Sequence, residues 1–322
     1  MTRKDFIEKF NALYQTRQAF AFLVDFEMNR FYVMTENEML WHRFWLQFEN
    51  KTIAPDPEST SIPSITKINP VSYEIFEKKF NKVMHHLRRG DTYLLNLTFK
   101  TPVDLQGNLI DVFYHTDAKY KVYFDDKFVF FSPEAFVIIE EGIIRTFPMK
   151  GTAPARPGAK EKLLNNNKEM YEHNTVVDLL RNDLAGLSKD VTVARYRYVD
   201  LIRSGKEDLL QVSSEITGFL DFRWNENPAR SLLRMLPAGS VSGAPKKRTL
   251  EIIARIEAEP REFYTGITGY FDGKKLTSAV NIRYIEKHNG KYFYRSGGGI
   301  TALSNPKDEY DEYLKKIYLP FA

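Results

Sequence analysis

Two rhythms of apolar residues alternate along the chain and divide it into blocks. Between Ser72 and Arg89, the residues Ile75, Phe76, Phe80, Val83, Met84 and Leu87 recur at the three-to-four spacing of one helix face, and Gly90 supplies a stop. Short runs rich in Val, Ile, Phe and Tyr follow: TYLLNLTF, KVYFDD, KFVFFS, FVIIEE and GIIRTF. Many of them meet at Asp- or Gly-containing turns and read as strands. Before this block, the first fifty or so residues read as a helix followed by two aromatic-rich strands, AFAFLVDF and RFYVMTE. Thr52 to Pro70 carries Pro55, Pro57, Pro63 and Pro70 among several Ser and Thr, and reads as a loop or crossing segment. Beyond the strands, Lys168 to Leu187 has a long helical pattern, and a second helix starts near Pro245. Strands return in FYTGITGYFD, KLTSAVNIRYIE and KYFYRSG, before a last helix from about Pro306.

Blocks of strands thus alternate with long helices, without a regular strand–helix–strand rhythm. That pattern predicts an α+β fold rather than a doubly wound sheet. Residues 1–69 are expected to form an N-terminal strand and helix segment packed on a core domain of residues 70–322.

Composition narrows the chemistry. With 322 residues, 43% of them hydrophobic, the chain can bury a large core. It has no Cys, which excludes disulfides, thiolate metal sites and thiol nucleophiles. The N-terminus lacks the apolar stretch of a signal peptide, and no run of apolar residues is long enough to span a membrane. A cytoplasmic protein without a membrane partner is expected. The 46 basic and 42 acidic residues nearly balance, and clusters such as Lys246-Lys247-Arg248 are short, so they read as solvated faces and no nucleic-acid partner is expected.

Three groups of residues carry candidate chemistry. Glu169 with Glu172, and Glu309 with Glu312, are acids three positions apart on helical segments, so each pair shares one helix face. Together they could cage a hard cation such as Mg²⁺. Near Asn305 and Pro306 the acids also read simply as helix-start residues that suit the helix dipole. Gly297-Gly298-Gly299 and the GSVSG turn from Gly239 let backbone N–H groups approach an anion, but neither has the frame of a nucleotide-binding loop. Arg283 reads either as a carboxylate partner or as an ordinary surface ion pair. Lys150, in FPMKGT, is a candidate nucleophile if its amine loses its proton, and otherwise a solvated lysine.

Taken in order, GDTYLLNLT, FSPEAF, FPMKGT, KEMYEHNTVVDLLRNDL, GSVSGAPKKRTLEII, YTGITGY, NIR, SGGGI and NPKDEYDEYLKK resemble the motifs of the chorismate-utilising enzymes, from about residue 70 to the C-terminus. The resemblance implies a fold like that of anthranilate synthase component I, with large mixed or antiparallel sheets packed with helices and the active site between them. It implies Mg²⁺ on Glu172 and Glu312, backed by Glu169 and Glu309 directly or through water. It places Arg283, Tyr264 and the glycines Gly298 and Gly299 around the enolpyruvyl carboxylate of chorismate, and Gly151, Thr152 and Ser240 at other substrate contacts. Glu134 falls where family members place the acid/base group that helps the C4 hydroxyl leave.

Within the family, Lys150 matches the lysine of the aminodeoxychorismate synthase branch, where anthranilate synthases typically carry Ala. The resemblance therefore implies amination at C4 on the way to 4-aminobenzoate and folate, with Lys150 as nucleophile. Two positions depart from the pattern: Leu94 stands where the amino-transferring branch usually has Gln and the isochorismate synthases a lysine base, and Gln211 stands where a His is common. The N-terminal region is shorter than in fuller homologues, which puts a tryptophan pocket in doubt. Ammonia is expected free or from a separate glutamine amidotransferase. Rival readings are anthranilate synthase component I and a non-catalytic chorismate-binding subunit.

Overall fold

The computed structural model describes residues 1–57, 60–202 and 208–321. Among them the strands form two nine-stranded sheets whose neighbouring strands are all antiparallel. The first sheet runs in the order Met149–Pro154, Leu209–Leu220, Ile143–Thr146, Ala135–Glu140, Leu276–Val280, Ile267–Phe271, Phe20–Val24 and Phe31–Thr35, with Ser188–Ile202 added beside Leu209–Leu220. The second runs Gly243–Ala244, Leu94–Gln106, Lys291–Ile300, Tyr284–His288, Phe128–Ser132, Tyr120–Phe124, Phe44–Phe48 and Lys51–Ile53, with Ser64–Ile68 against Leu94–Gln106. The predicted α+β class is what the chain adopts.

Strand side chains point alternately to opposite faces, so a strand buried on both faces must be apolar at every position. Phe20–Val24 meets this demand. Phe20, Phe22 and Val24 face the helices Arg3–Gln15 and Asn167–Ala185, while Ala21 and Leu23 face the second sheet. Helices Tyr73–Arg88, Lys246–Glu257 and Pro306–Lys315 cover the far side of the second sheet through Phe76, Phe80, Ile252, Ile256 and Tyr313. The layers are helix, sheet, sheet and helix, with an aromatic-rich seam between the sheets.

The first fifty-three residues supply strands to both sheets. The Thr52 to Pro70 segment is not wholly a loop: Ser64–Ile68 pairs with Val103–Gln106 at the sheet edge. Its side chains are exposed or half-buried, so no apolar alternation marks it. Glu58 and Ser59 of that segment lie outside the described residues. The long hairpin Ser188–Ile202 and Leu209–Leu220 also escapes the apolar pattern. Its outer strand is an edge with three register shifts, where polar residues are tolerated. KLTSAVNIRYIE, expected as one strand, is two: Leu276–Val280 belongs to the first sheet and Tyr284–His288 to the second. The chain crosses between sheets at Asn281–Arg283, with Arg283 in the left-handed region at φ 53°.

One buried ion pair joins the layers beside that crossing. Arg261 is 1% exposed. Its Nε and Nη2 donate to the two oxygens of Glu257 at 2.8 and 2.7 Å, and Nη1 and Nη2 donate to the carbonyls of Val241 and Asn96 at 2.8 and 2.6 Å. Glu257 also accepts from the Thr98 amide at 2.8 Å. The pair therefore ties helix Lys246–Glu257 to the long strand and to the turn at Val241. Replacing Glu257 by Ala leaves the guanidinium buried with no counter-charge, so urea unfolding is expected to show a loss of about 3–5 kcal/mol.

Candidate active site

The crossing, the glycine-rich strand end and the tips of two helices enclose a cavity of about 210 Å³. The glycines of Lys291–Ile300 keep its floor free of side chains. At Gly297 a Cβ would stand 2.2 Å from the Leu97 carbonyl of the paired strand, so no other residue fits there. A Cβ on Gly298 would lie 3.5 Å from Glu309 Oε2 and 3.7 Å from both Glu312 Oε1 and Lys316 Nζ. A Cβ on Gly299 would lie 3.1 Å from Leu94 Cδ1 and 3.9 Å from Lys150 Nζ. Gly151 adopts φ +86°, which aims a Cβ at Glu169 Oε2 only 3.2 Å away. These distances place the two predicted acid pairs on either side of Lys150.

Lys150 is the charge centre of the site. It sits in Met149–Pro154, and its Nζ donates to Glu172 Oε2 at 2.8 Å. Burial alone would push its pKa down, but the carboxylates of Glu172, Glu312 and Glu309 outweigh it and hold the ammonium well above the ordinary lysine range. Glu172 and Glu309 are buried, and Glu312 is half-exposed. A second lysine, Lys316, lies one helix turn after Glu312; its Nζ is 2.6 Å from Glu312 Oε1 and donates to the Gly297 carbonyl at 2.8 Å. Its pKa is lowered, first by burial. The sequence reading passed over Lys316, although its place in LKK, four residues after Glu312, was a usable signal.

Among the described residues no group of three or more His, Asp or Glu is arranged to hold a metal ion. The side chains of Glu172 and Glu312 are turned instead onto the two lysine ammoniums. The donor set itself, four carboxylates on two helices facing one cavity, has the hard oxygen chemistry that suits Mg²⁺.

Glu134 also lines the cavity, and its Oε1 accepts from Ser240 Oγ at 2.6 Å. Burial raises its pKa, against the smaller downward pull of Ser240, Lys316 and Lys150. A carboxyl raised in this way holds its proton to higher pH than an exposed one. Thr152 Oγ donates to Gln211 Oε1 at 3.0 Å, and Gln211 Nε2 donates to the Gly151 carbonyl at 3.2 Å. Gln211 therefore pins the turn that follows Lys150. Tyr264 and Arg283 line the far end. Burial pushes the Tyr264 phenol up to about 12. Arg283 reaches the cavity from the sheet crossing, not from a strand, and its Nη1 donates to the Lys316 carbonyl at 3.0 Å. Lys150, Glu134, Gly151, Thr152, Ser240, Tyr264, Arg283, Gly298, Gly299 and Glu312 all line the cavity, while Glu169, Glu172 and Glu309 stand just behind its surface.

His173, next to Glu172, faces away from the cavity. It is fully buried, and its Nε2 lies 2.7 Å from Ser214 Oγ. Burial, then the charges of Arg197 and Lys150, lower its pKa to about 4. Unfolding restores a value near 6.5, so the unfolded state binds the extra proton. His173 therefore leaves stability unaffected above about pH 6.5 and erodes it as the pH falls from there toward about 4. An imidazole NMR titration with a midpoint near 4, together with thermal melts across that window, is the expected result.

The profile of the chorismate binding enzyme family matches residues 25–321. An uncharacterized PabA-like protein of Haemophilus influenzae is 42% identical, with 99% of this chain and 97% of that protein aligned. Aminodeoxychorismate synthase component 1 of Escherichia coli is 29% identical over 92% of this chain and 67% of its own length. Among solved structures, anthranilate synthase component I of Streptococcus pneumoniae superimposes with a TM-score of 0.68 at 29% identity, covering 82% of this chain and 61% of that one. Among the described residues no helix is long and apolar enough to cross a membrane.

Proposed function

The chain belongs to the chorismate-binding enzyme family, and we propose that it aminates chorismate at C4 with ammonia, giving 4-amino-4-deoxychorismate and water. The observation that carries this reading is Lys150: its Nζ projects into a substrate-sized cavity beside the glycine floor, where it can reach a ring carbon. Arg283, Tyr264 and the backbone at Gly298 and Gly299 would hold the enolpyruvyl carboxylate, with Gly151, Thr152 and Ser240 around the ring. Mg²⁺ held by Glu172 and Glu312, with Glu169 and Glu309 behind them, would neutralise the ring carboxylate.

The free amine of Lys150 bonds to C2 as both ring double bonds shift by one position and the C4–O bond breaks. Glu134 gives its proton to the departing hydroxyl, which leaves as water. Ammonia then bonds to C4, both ring double bonds shift back, and the C2–N bond breaks to restore the lysine amine. The surplus proton of the incoming nitrogen returns to Glu134. The attack needs the unprotonated amine, so the Lys150 ammonium first gives a proton to solvent water as its ion pair with Glu172 opens.

Two neighbours support amination without loss of the side chain. Leu94 is apolar and cannot activate water as a rival nucleophile. Gln211 cannot pass a proton to the enolpyruvyl group near neutrality, a step that release of pyruvate would need. With no Cys, this chain has no thiol for glutamine hydrolysis, so the ammonia would come free or from a separate glutamine amidotransferase.

Incubation with chorismate, Mg²⁺ and ammonium is expected to yield a product that added lyase converts to 4-aminobenzoate; fluorescent anthranilate in its place would sink the reading. Lys150→Ala is expected to slow turnover on the order of a hundredfold or more, and wild-type turnover in that variant would remove the covalent step. Glu172→Gln is expected to raise the Mg²⁺ needed for half-maximal rate by about tenfold or more, with the melting curve as the check on folding.

A further inference from the structure

Helix Asn167–Ala185 carries Glu169 and Glu172 near its start and Asp183 near its end. Asp183 is not part of the cavity wall, yet its side chain is only 10% exposed. Its Oδ1 accepts from Lys246 Nζ at 2.9 Å, and the same ammonium donates to the Met235 carbonyl at 2.7 Å. Met235 and Lys246 flank the turn Gly239–Ser242, so this bridge closes the chain across it. The other oxygen, Oδ2, is buried against Gly239, whose backbone N–H acts on the carboxylate and where a Cβ would stand 2.8 Å away. A buried carboxylate is costly even when paired, and an apolar pair would fill the same space. What the carboxylate adds is direction. The residue after Gly239 is Ser240, whose hydroxyl donates to Glu134 at 2.6 Å.

We propose that Asp183 is a positioning residue for Glu134: clamped to Lys246 and packed against Gly239, it fixes the turn from which Ser240 holds the Glu134 carboxyl. The same helix thus sets the carboxylates beside Lys150 and, through the turn, the Glu134 carboxyl. A hydrogen bond of this length tolerates little displacement of either partner. Lys316 and Lys150 are the other charged groups that face Glu134. The inference rests on the acid/base reading of Glu134.

The test is chorismate turnover by the full chain over a range of pH, in wild type and in Asp183→Asn, Lys246→Arg, Ser240→Ala and the Asp183→Asn/Ser240→Ala double variant. Asp183→Asn is expected to lower kcat about tenfold with KM for chorismate little changed. It should also move the limb set by Glu134 to higher pH, as Ser240→Ala does, because the ionised carboxyl loses its donor. The double variant should be no more than about twofold slower than Ser240→Ala, since both act through one contact. Lys246→Arg, which keeps the charge, should retain most of the rate. Multiplying defects in the double variant, or a lower Tm with unchanged kcat and pH profile, would overturn the inference. Should Asp183→Asn prove insoluble, Lys246→Met gives the same reading. Glu134→Gln is the control: full turnover there overturns the acid/base role and this inference with it. Loss in Glu134→Gln beside wild-type behaviour in Asp183→Asn overturns the inference alone.

Discussion

Carboxylates from two helices crowd one end of a cavity, and their negative charge has to be balanced before the helices can approach. Glu172 and Glu309 are both buried, and a buried carboxylate without a counter-charge shifts its pKa or destabilises the fold. Lys150 and Lys316 supply the balance in this structure. Each lysine comes from an element that also builds the cavity, one from the strand Met149–Pro154 and one from the end of the last helix. The same ammoniums that let the acids pack are therefore held at the substrate surface. Any cation or anion that enters must compete with these pairs, so binding and rearrangement of charge are one event.

The rest of the fold keeps that cluster in place. Two sheets with an apolar seam give a rigid frame, and the chain crosses between them at Arg283, beside the cavity. The glycine strand lies against Leu94–Gln106 in unbroken register from Tyr292 to Ile300. Its backbone can thus form a floor only where side chains are absent, which is why Gly297, Gly298 and Gly299 occur together. Arg261 and Glu257 lock the long strand, the neighbouring helix and Val241 into one unit. Ser240, next to Val241, is thereby held from two directions, by Arg261 on one side and by the turn's contact with Asp183 on the other.

Much of this was legible in the residues because it depends on local spacing. The long helices, the central strands and the acid pairs follow from periodicities of 3.6 and 2. Ser64–Ile68 and the hairpin Ser188–Ile202 with Leu209–Leu220 were not legible, since edge strands carry polar residues and bulges that blur alternation. NIR sits between two strand-like runs, and nothing local says that the chain changes sheet there. Lys316 and Asp183 were missed for a different reason. The Gly297 contact of Lys316 and the Lys246 contact of Asp183 join residues distant in sequence, which single-sequence spacing does not show; the only local signal was the i to i+4 spacing of Lys316 from Glu312.

The site's reactivity is shaped as much by groups that cannot move protons as by those that can. Leu94 and Gln211 occupy two walls with an apolar chain and an amide, neither of which titrates near neutrality. Tyr264 is held protonated by burial. What remains for proton transfer is Glu134, raised by burial, together with Lys150, Lys316 and the carboxylates that hold them. The carboxylates of Glu172, Glu312 and Glu309 hold the Lys150 ammonium above the ordinary lysine range, so in the proposed reaction their charge has to be offset before the amine is free to attack. Leu94 and Gln211 add no titratable group to that balance, which leaves the raised Glu134 carboxyl as the proton donor of the proposal.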